Sequence, residues 1–307
     1  MRKFYTSDNG FIEKNEPEPR CWISVECPDE EDLLFLQREL CVPESFLESA
    51  ADADERPRFD RDGDWLLTIL RVPRHIVDGS PDDFDTVTLA VMTKGDLLVT
   101  ICHNKTEMLD DFIADTRKRH IIAVNKPDFI LRLMYSATYW FLNYLREMDR
   151  TVVNQLADIQ HDVRNEDLYR LMRIQKSLVY FNTAIKGDTT LVSRVNKMFD
   201  DECDPDLLED VEIELQQAQN TADIYIEILD STMDTLTSVV SNNVNGIMKK
   251  MTSISIILML PTLIASFYGM NVAVAFGSGG EAFWKIIAFS IGLALLSYLL
   301  LRRIRWI

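Results

Sequence analysis

MTSISIILMLPTLIASFYGMN, residues 251–271, and AFWKIIAFSIGLALLSYLLL, residues 282–301, decide how this chain is read. Each apolar run is near the ~20 residues that an α-helix needs to cross ~30 Å of hydrocarbon. The first span runs from Met251 to Tyr268, and the second from Ala282 to Leu301. The alternative is a buried hairpin inside a soluble core. Two spans this long, this close together and this poor in charge rarely serve one. Lys285 lies where it can reach the headgroups, and Trp284 and Trp306 suit interfacial anchors near the two ends of the second span.

Basic residues set the expected orientation. Lys249 and Lys250 precede the first span, and Arg302, Arg303 and Arg305 follow the second. The turn from Val272 to Glu281 has no Lys or Arg. The positive-inside rule then places both termini in the cytoplasm and the turn outside. Met1 to Gly10 has no apolar core of the kind a signal peptide needs.

The rest of the chain is polar and acidic. The net charge is −17 over 307 residues, and the acid clusters at Glu26 to Asp32, Asp52 to Glu55, Asp60 to Asp64, Asp82 to Asp85 and Asp200 to Asp210. Such clusters do not favour nucleic acid, whose binding depends on phosphate neutralisation. They are compatible with divalent cations, which prefer carboxylate oxygens, and equally with a solvated surface. Cys21, Cys27, Cys41, Cys102 and Cys203 form no CxxC pair, and His75, His103, His120 and His161 stand apart. The thiols read as reduced, and zinc spacing is absent. No phosphate loop, nucleophile elbow or other catalytic signature is present, so an enzyme is not expected.

Strand-like runs occur at Trp65 to Val72, Thr86 to Met92 and Leu97 to Cys102, with turns at Asp78 to Pro81 and Lys94 to Asp96 between them. Helical patterns at Glu31 to Cys41 and Lys105 to His120 complete a small α+β domain over 1–125. Strand signals vanish after Lys126. Pro127 favours a helix start, and one long helix is expected to about Val163. A second is expected over Asp167 to Ala184 and a third around Leu191 to Met198. This helical region covers 126–250, and the hairpin 251–307.

From Pro205 to Tyr268 the helix breakers are Gly246 and Pro261 alone. One helix of that length would be roughly 95 Å long at ~1.5 Å per residue. Val211, Leu215, Ala218, Ala222, Tyr225, Leu229, Leu236, Val240 and Val244 give it an apolar stripe. Nearer the membrane a different set recurs at spacings of three and four: Met248, Met251, Ser255, Met259, Thr262 and Ser266, ending at Asn271. Polar side chains within a bilayer turn toward protein or water. On spacing alone, contact between helices and the lining of a pore fit this face equally. Two spans cannot enclose a channel, so a pore requires several copies around an axis.

Tyr268-Gly269-Met270-Asn271, at the end of the first of two C-terminal spans, resembles the signature of the CorA family of magnesium channels and transporters. Trp22-Ile23, Pro43 to Glu48 and Arg56-Pro57-Arg58 resemble upstream segments of the same family. The resemblance implies a funnel-shaped homopentamer in the inner membrane. In that assembly an α+β cytoplasmic domain is followed by a long-helix stalk and two C-terminal transmembrane helices. It implies that Mg²⁺ is the transported and regulatory ion, received at Gly269, Met270 and Asn271. Gly269 would let the chain leave the helix and turn. Thr262, Met259 and Met248 fall on the implied pore-lining positions, and Asn245 lies near the cytoplasmic gate. Met251 and Ser266 stand where the resemblance implies leucine and glycine. Asp234 and Asp210 fall on carboxylates that sense divalent ions between protomers, with Glu48 as an N-terminal partner. The loop after the signature departs from the family's acidic type, and Glu281 is its one carboxylate. Zinc, cobalt or nickel transport on the same fold, and a membrane-anchored sensor that does not conduct, are the alternative functions.

Overall fold

The structure, a computed structural model, describes residues 1–7, 10–76, 84–119, 125–158, 165–199, 202–270, 280–304 and 306. The turn at Asp78 to Pro81, the acid pair Asp82 and Asp83, His120, His161, the expected helix end at Val163, the acids Asp200 and Asp201, Asn271 to Gly279 and Arg305 lie outside the described residues. The chain divides into two units, Met1–Asp230 and Ser231–Ile307.

The first unit is built on a seven-stranded mixed sheet. Its strands are β1 (Arg2–Ser7), β2 (Phe11–Lys14), β3 (Trp22–Glu26), β4 (Arg58–Asp62), β5 (Trp65–His75), β6 (Phe84–Lys94) and β7 (Leu97–Cys102). They lie in the order β2-β1-β3-β7-β6-β5-β4. Only β3 and β7 run parallel, with Trp22 opposite Leu98 and Glu26 opposite Cys102. The three apolar runs found in the sequence are the central strands β5, β6 and β7. The edge strands escaped notice because their composition is charged: β4 reads RFDRD. Charge on an edge discourages pairing with another chain.

Helices α1 (Glu30–Arg38) and α2 (Glu44–Ala51) cover one face of the sheet. Leu36, Val42, Phe46 and Ala50 pack there with Ile23, Val25, Leu67, Ile69, Ala90, Met92, Val99 and Ile101. Asp29 caps α1: its carboxylate accepts from the Asp32 N–H at 2.8 Å. On the other face lie α3 (Glu107–Lys118) and α4 (Lys126–Asp158). Trp22 is the centre of this side, with ring centroids 4.8 Å from Phe11, 5.1 Å from Phe129 and 6.0 Å from Phe112. Its indole N–H donates to Thr100 Oγ1 at 2.9 Å, so the buried polar atom is satisfied.

Asn165 to Phe199 forms a single helix, α5, where the sequence suggested two. Gly187 lies between the two expected helices and does not break α5. A Cβ there would come within 2.7 Å of the Pro57 ring, so the glycine admits the chain before β4 against an unbroken helix. Thr189 and Thr190 continue the helix by donating back to Ile185 and Lys186 carbonyls.

α5 also closes an edge of the sheet. The pairing of β4 with β5 stops at Arg58 opposite Ile69. Beyond that point the Arg71 N–H donates to Asp188 Oδ1 at 3.2 Å. Pro73, two residues on and facing the same way, has no N–H to satisfy. At the start of β6, Ser177 Oγ donates to the Phe84 carbonyl at 2.7 Å and accepts its N–H.

Asp188 is 3% exposed. Burial raises its carboxyl well above the usual carboxylate range, against the opposing pull of the Arg71 N–H and guanidinium. A carboxyl whose folded pKa lies above its unfolded one contributes stability below the unfolded value and loses it as pH rises through the folded value. Asp188→Asn keeps an acceptor for Arg71 without a charge. Thermal unfolding at about pH 5 and about pH 8 should show the parent losing stability on the alkaline side while the variant is flatter. Equal slopes for both proteins would remove this role from Asp188.

The last described helix of the first unit is the start of α6 (Pro205–Tyr268). Val211, Leu215, Ala218, Ala222 and Leu229 of the expected stripe are buried, while Val240 and Val244 further along are exposed. Asn182 Nδ2 and Gln175 Nε2 of α5 donate to Asp223 and Asp230 of α6 at 2.7 and 2.6 Å. A stripe of small and branched side chains at spacings of three, four and seven thus seats the long helix along α5, and each large one contributes about 1.5–3 kcal/mol by burial.

Candidate functional site

The second unit holds the rest of α6 and α7 (Gly280–Arg303). Both helices are long and apolar enough to cross a membrane. Within the protomer 6% of the first apolar window is buried and 0% of the second. A hairpin in a soluble core would be mostly covered, so that alternative fails. Glu281 lies in the first turn of α7, one position before the start of the span in the sequence reading, which placed it in the outer loop.

The thioether and hydroxyl stripe is presented on one exposed face. Met248, Met251 and Met259 are 57%, 62% and 68% exposed, and Asn245, Ser255, Thr262 and Ser266 are also exposed. Leu258, Met259, Thr262, Leu263 and Ser266 together line a shallow groove of about 440 Å³. A different face of α6 meets α7. Pro261, Ala265, Tyr268 and Gly269 join Phe283, Ile286, Ile287 and Ser290 around a groove of about 640 Å³. The stripe therefore points away from the other span of its own hairpin.

The hydroxyls are chemically polarised by the helix. Ser255 Oγ donates to the Met251 carbonyl at 2.9 Å, and Thr262 Oγ1 to the Leu258 carbonyl at 2.8 Å. Each proton is used within the helix, so the oxygen offers lone pairs outward. That suits a hydrated cation, whose water molecules are donors.

One buried polar residue of α6 was passed over by the sequence reading. Ser253 is fully buried, and its Oγ has no partner among the described residues. It acts by being small. A small polar residue in an apolar run, set off the stripe, is the signal that could have found it.

α6 ends at Tyr268, and Gly269 follows as a turn without a left-handed φ. The Gly269 N–H donates to the carbonyls of Ala265 at 2.9 Å and Ser266 at 3.2 Å, and Met270 N–H to Phe267 at 3.4 Å. The described glycines with positive φ are Gly10, Gly63 and Gly95. A Cβ on Gly269 would meet its own helix carbonyls at 3.4 and 3.5 Å, ordinary contact. The glycine is therefore not required by the backbone of one protomer. Met270 is 56% exposed. Asn271 lies outside the described residues.

Glu48 on α2, and Asp210 and Asp234 on α6, are all exposed. Among the described residues no group of three His, Cys, Asp or Glu side chains could hold a metal ion. One protomer does not gather these carboxylates into a chelating cluster.

Known proteins resemble the chain over nearly its whole length. The profile of the family described as CorA-like Mg2+ transporter protein matches residues 19–303. The cobalt/magnesium transport protein CorA of Methanocaldococcus jannaschii is 24% identical over 303 residues, covering 93% of this chain and 91% of that protein. The zinc transport protein ZntB of Pectobacterium atrosepticum is 20% identical over 289 residues, covering 91% and 84%. The complete structure of the M. jannaschii CorA magnesium transporter superposes with a TM-score of 0.83 at 21% identity, over 100% of this chain and 99% of that one. That likeness fixes the fold: an α/β domain, a long helix and two candidate membrane helices. With the family profile spanning β3 to β7, the long helix and both spans, the chain belongs to the CorA-like Mg²⁺ transporter family, whose members are transporters and not enzymes.

Proposed function

We propose that this chain is a divalent cation channel that admits Mg²⁺ across the inner membrane as a homopentamer. Its parts are an α+β cytoplasmic domain over 1–125, a helical region over 126–250 and a transmembrane hairpin over 251–307. Both termini are cytoplasmic, in keeping with the positions of Lys249, Lys250, Arg302 and Arg303. Five copies of α6 surround the axis. The observation that carries this reading is the stripe of Met248, Met251, Ser255, Met259, Thr262 and Ser266, exposed and directed away from α7.

In this arrangement Met248, Met251 and Met259 form apolar constrictions near Asn245, and Ser255, Thr262 and Ser266 form rings of acceptor oxygens. Gly269, Met270 and Asn271 receive the ion at the outer mouth, near Glu281. Mg²⁺ dehydrates reluctantly and keeps several waters. Neutral oxygens that accept from those waters let it pass without stripping them. Inward flux is driven by the membrane potential, worth ~2.3 kcal/mol per charge per 100 mV. Mg²⁺ is also the regulatory ion. It bridges Asp210, Asp234 and Glu48 between protomers, and its loss leaves carboxylates that repel and free the constriction.

Thr262→Leu separates this reading from a membrane-anchored sensor that does not conduct. In proteoliposomes a channel should lose most of its Mg²⁺ uptake when a ring of acceptor oxygens becomes a ring of methyls. A sensor has no flux to lose, and unchanged Mg²⁺ uptake in the variant would take Thr262 out of the pathway. The likeness to a zinc transport protein favours a second ion. Uptake of Mg²⁺, Zn²⁺, Co²⁺ and Ni²⁺ in one preparation, with and without a pH gradient, decides among them. Zn²⁺ outrunning Mg²⁺ would overturn the ion assignment and leave the channel.

A further inference from the structure

A cavity of about 420 Å³ lies in the first unit between α3, α4 and the start of α6. Among its walls are Asp111 on α3, Arg132, Tyr135 and Tyr139 on α4, and Leu207 and Asp210 on α6. The volume is within the range of small-molecule sites. The ion pathway does not use it.

Its charges are not self-satisfied. Arg119, at the rim, is committed to Asp115 at 2.8 Å. Arg132 has no ion pair among the described residues, and its Nε is buried without a hydrogen-bond partner. A guanidinium with a desolvated edge and no ion pair is completed by an anion that accepts from it. Asp111 accepts the Trp140 indole N–H at 3.2 Å and keeps other lone pairs, and Asp210 makes no ion pair among the described residues. With Asp210 assigned to Mg²⁺, the cavity offers one cationic fork and one carboxylate acceptor, Asp111. Its flat walls are Tyr135 and Tyr139, 38% and 52% exposed and one helical turn apart.

We infer that this cavity binds a nucleoside 5′-phosphate. The phosphate takes the two-pronged Arg132 guanidinium, which matches its geometry. The base stacks on Tyr139 or Tyr135, a contact every base can make. Ribose hydroxyls donate to Asp111, as carboxylates do in dinucleotide sites. A zwitterionic amino acid would satisfy the charges but leave one ring unused. The inference stands independently of conduction.

The test is fluorescence anisotropy of N-methylanthraniloyl-AMP with the full chain in nanodiscs, with EDTA present so that no divalent ion bridges ligand and protein. The expected result is saturable binding displaced by AMP, and far more weakly by adenosine or inorganic phosphate. Arg132→Gln should weaken it by at least about tenfold, the loss of a charge-assisted pair. Tyr139→Ala, at a half-exposed ring that the fold does not need, should weaken it severalfold. Thr262→Leu should leave it unchanged. Absence of saturable binding, displacement by phosphate as effective as by AMP, or parental affinity in either site variant overturns the assignment. None of these outcomes bears on Mg²⁺ flux.

Discussion

Asn271→Ala should reduce Mg²⁺ uptake into proteoliposomes to the rate of protein-free vesicles, while cross-linking still shows the assembled oligomer. The reason lies in the chemistry of the ion. Mg²⁺ holds its first shell of water in near-octahedral order, so a receiving site works by accepting hydrogen bonds from that shell. In the proposed assembly the amide oxygens of Asn271 form a ring at the outer mouth. Alanine removes all of them together. At about 1 kcal/mol for each lost bond, five copies amount to about 5 kcal/mol, a barrier increase worth more than about a thousandfold in rate. Uptake reduced by less than about tenfold would mean that the ion is received elsewhere.

Phe181→Ala should be the most damaging single truncation in the soluble part. Phe181 on α5 is fully buried. Its ring centroid is 5.0 Å from Phe141 on α4 and 6.3 Å from Phe84 on β6. It therefore joins two helices to the sheet at one point. Truncating such a ring removes its burial and leaves a cavity that rigid neighbours cannot fill, at about 3–5 kcal/mol. That is a large part of the roughly 5–15 kcal/mol by which a domain is stable. Urea unfolding followed by near-ultraviolet circular dichroism should show a lower midpoint with an unchanged slope. A midpoint equal to that of the parent would mean that α5 is held by its polar contacts to α6 instead.

Much of the architecture was readable from composition and spacing, and the reasons are local. The bounds of α6 came from the scarcity of helix breakers between Pro205 and Tyr268, only Gly246 and Pro261, a property of the chain alone. The two spans came from apolar length. The central strands β5, β6 and β7 came from branched aliphatic runs, since strands covered on both faces need little polar alternation. The stripe on α6 came from its period.

Other features were not local, and the sequence could not carry them. β1, β2 and β4 have polar faces and owe their strand conformation to a neighbour's hydrogen bonds. Nothing in Trp22 to Glu26 says that it pairs parallel with Leu97 to Cys102. Nor does the sequence around Gly187 say that the Pro57 ring lies against it. The stripe's spacing fitted helix contact and pore lining equally; its direction away from α7 is a fact of packing.

By itself the sequence determined where the chain is apolar, where it is helical and which residues share a face, because hydropathy and helical period act over a few neighbouring residues. The tertiary structure alone decided which face is covered. It closed the edge of β5 with Asp188, left the Met and hydroxyl face of α6 open, and placed Arg132, without an ion pair among the described residues, beside two tyrosines. Those outcomes depend on segments far apart in the chain meeting in space, and only the packed molecule fixes which surfaces lose their water.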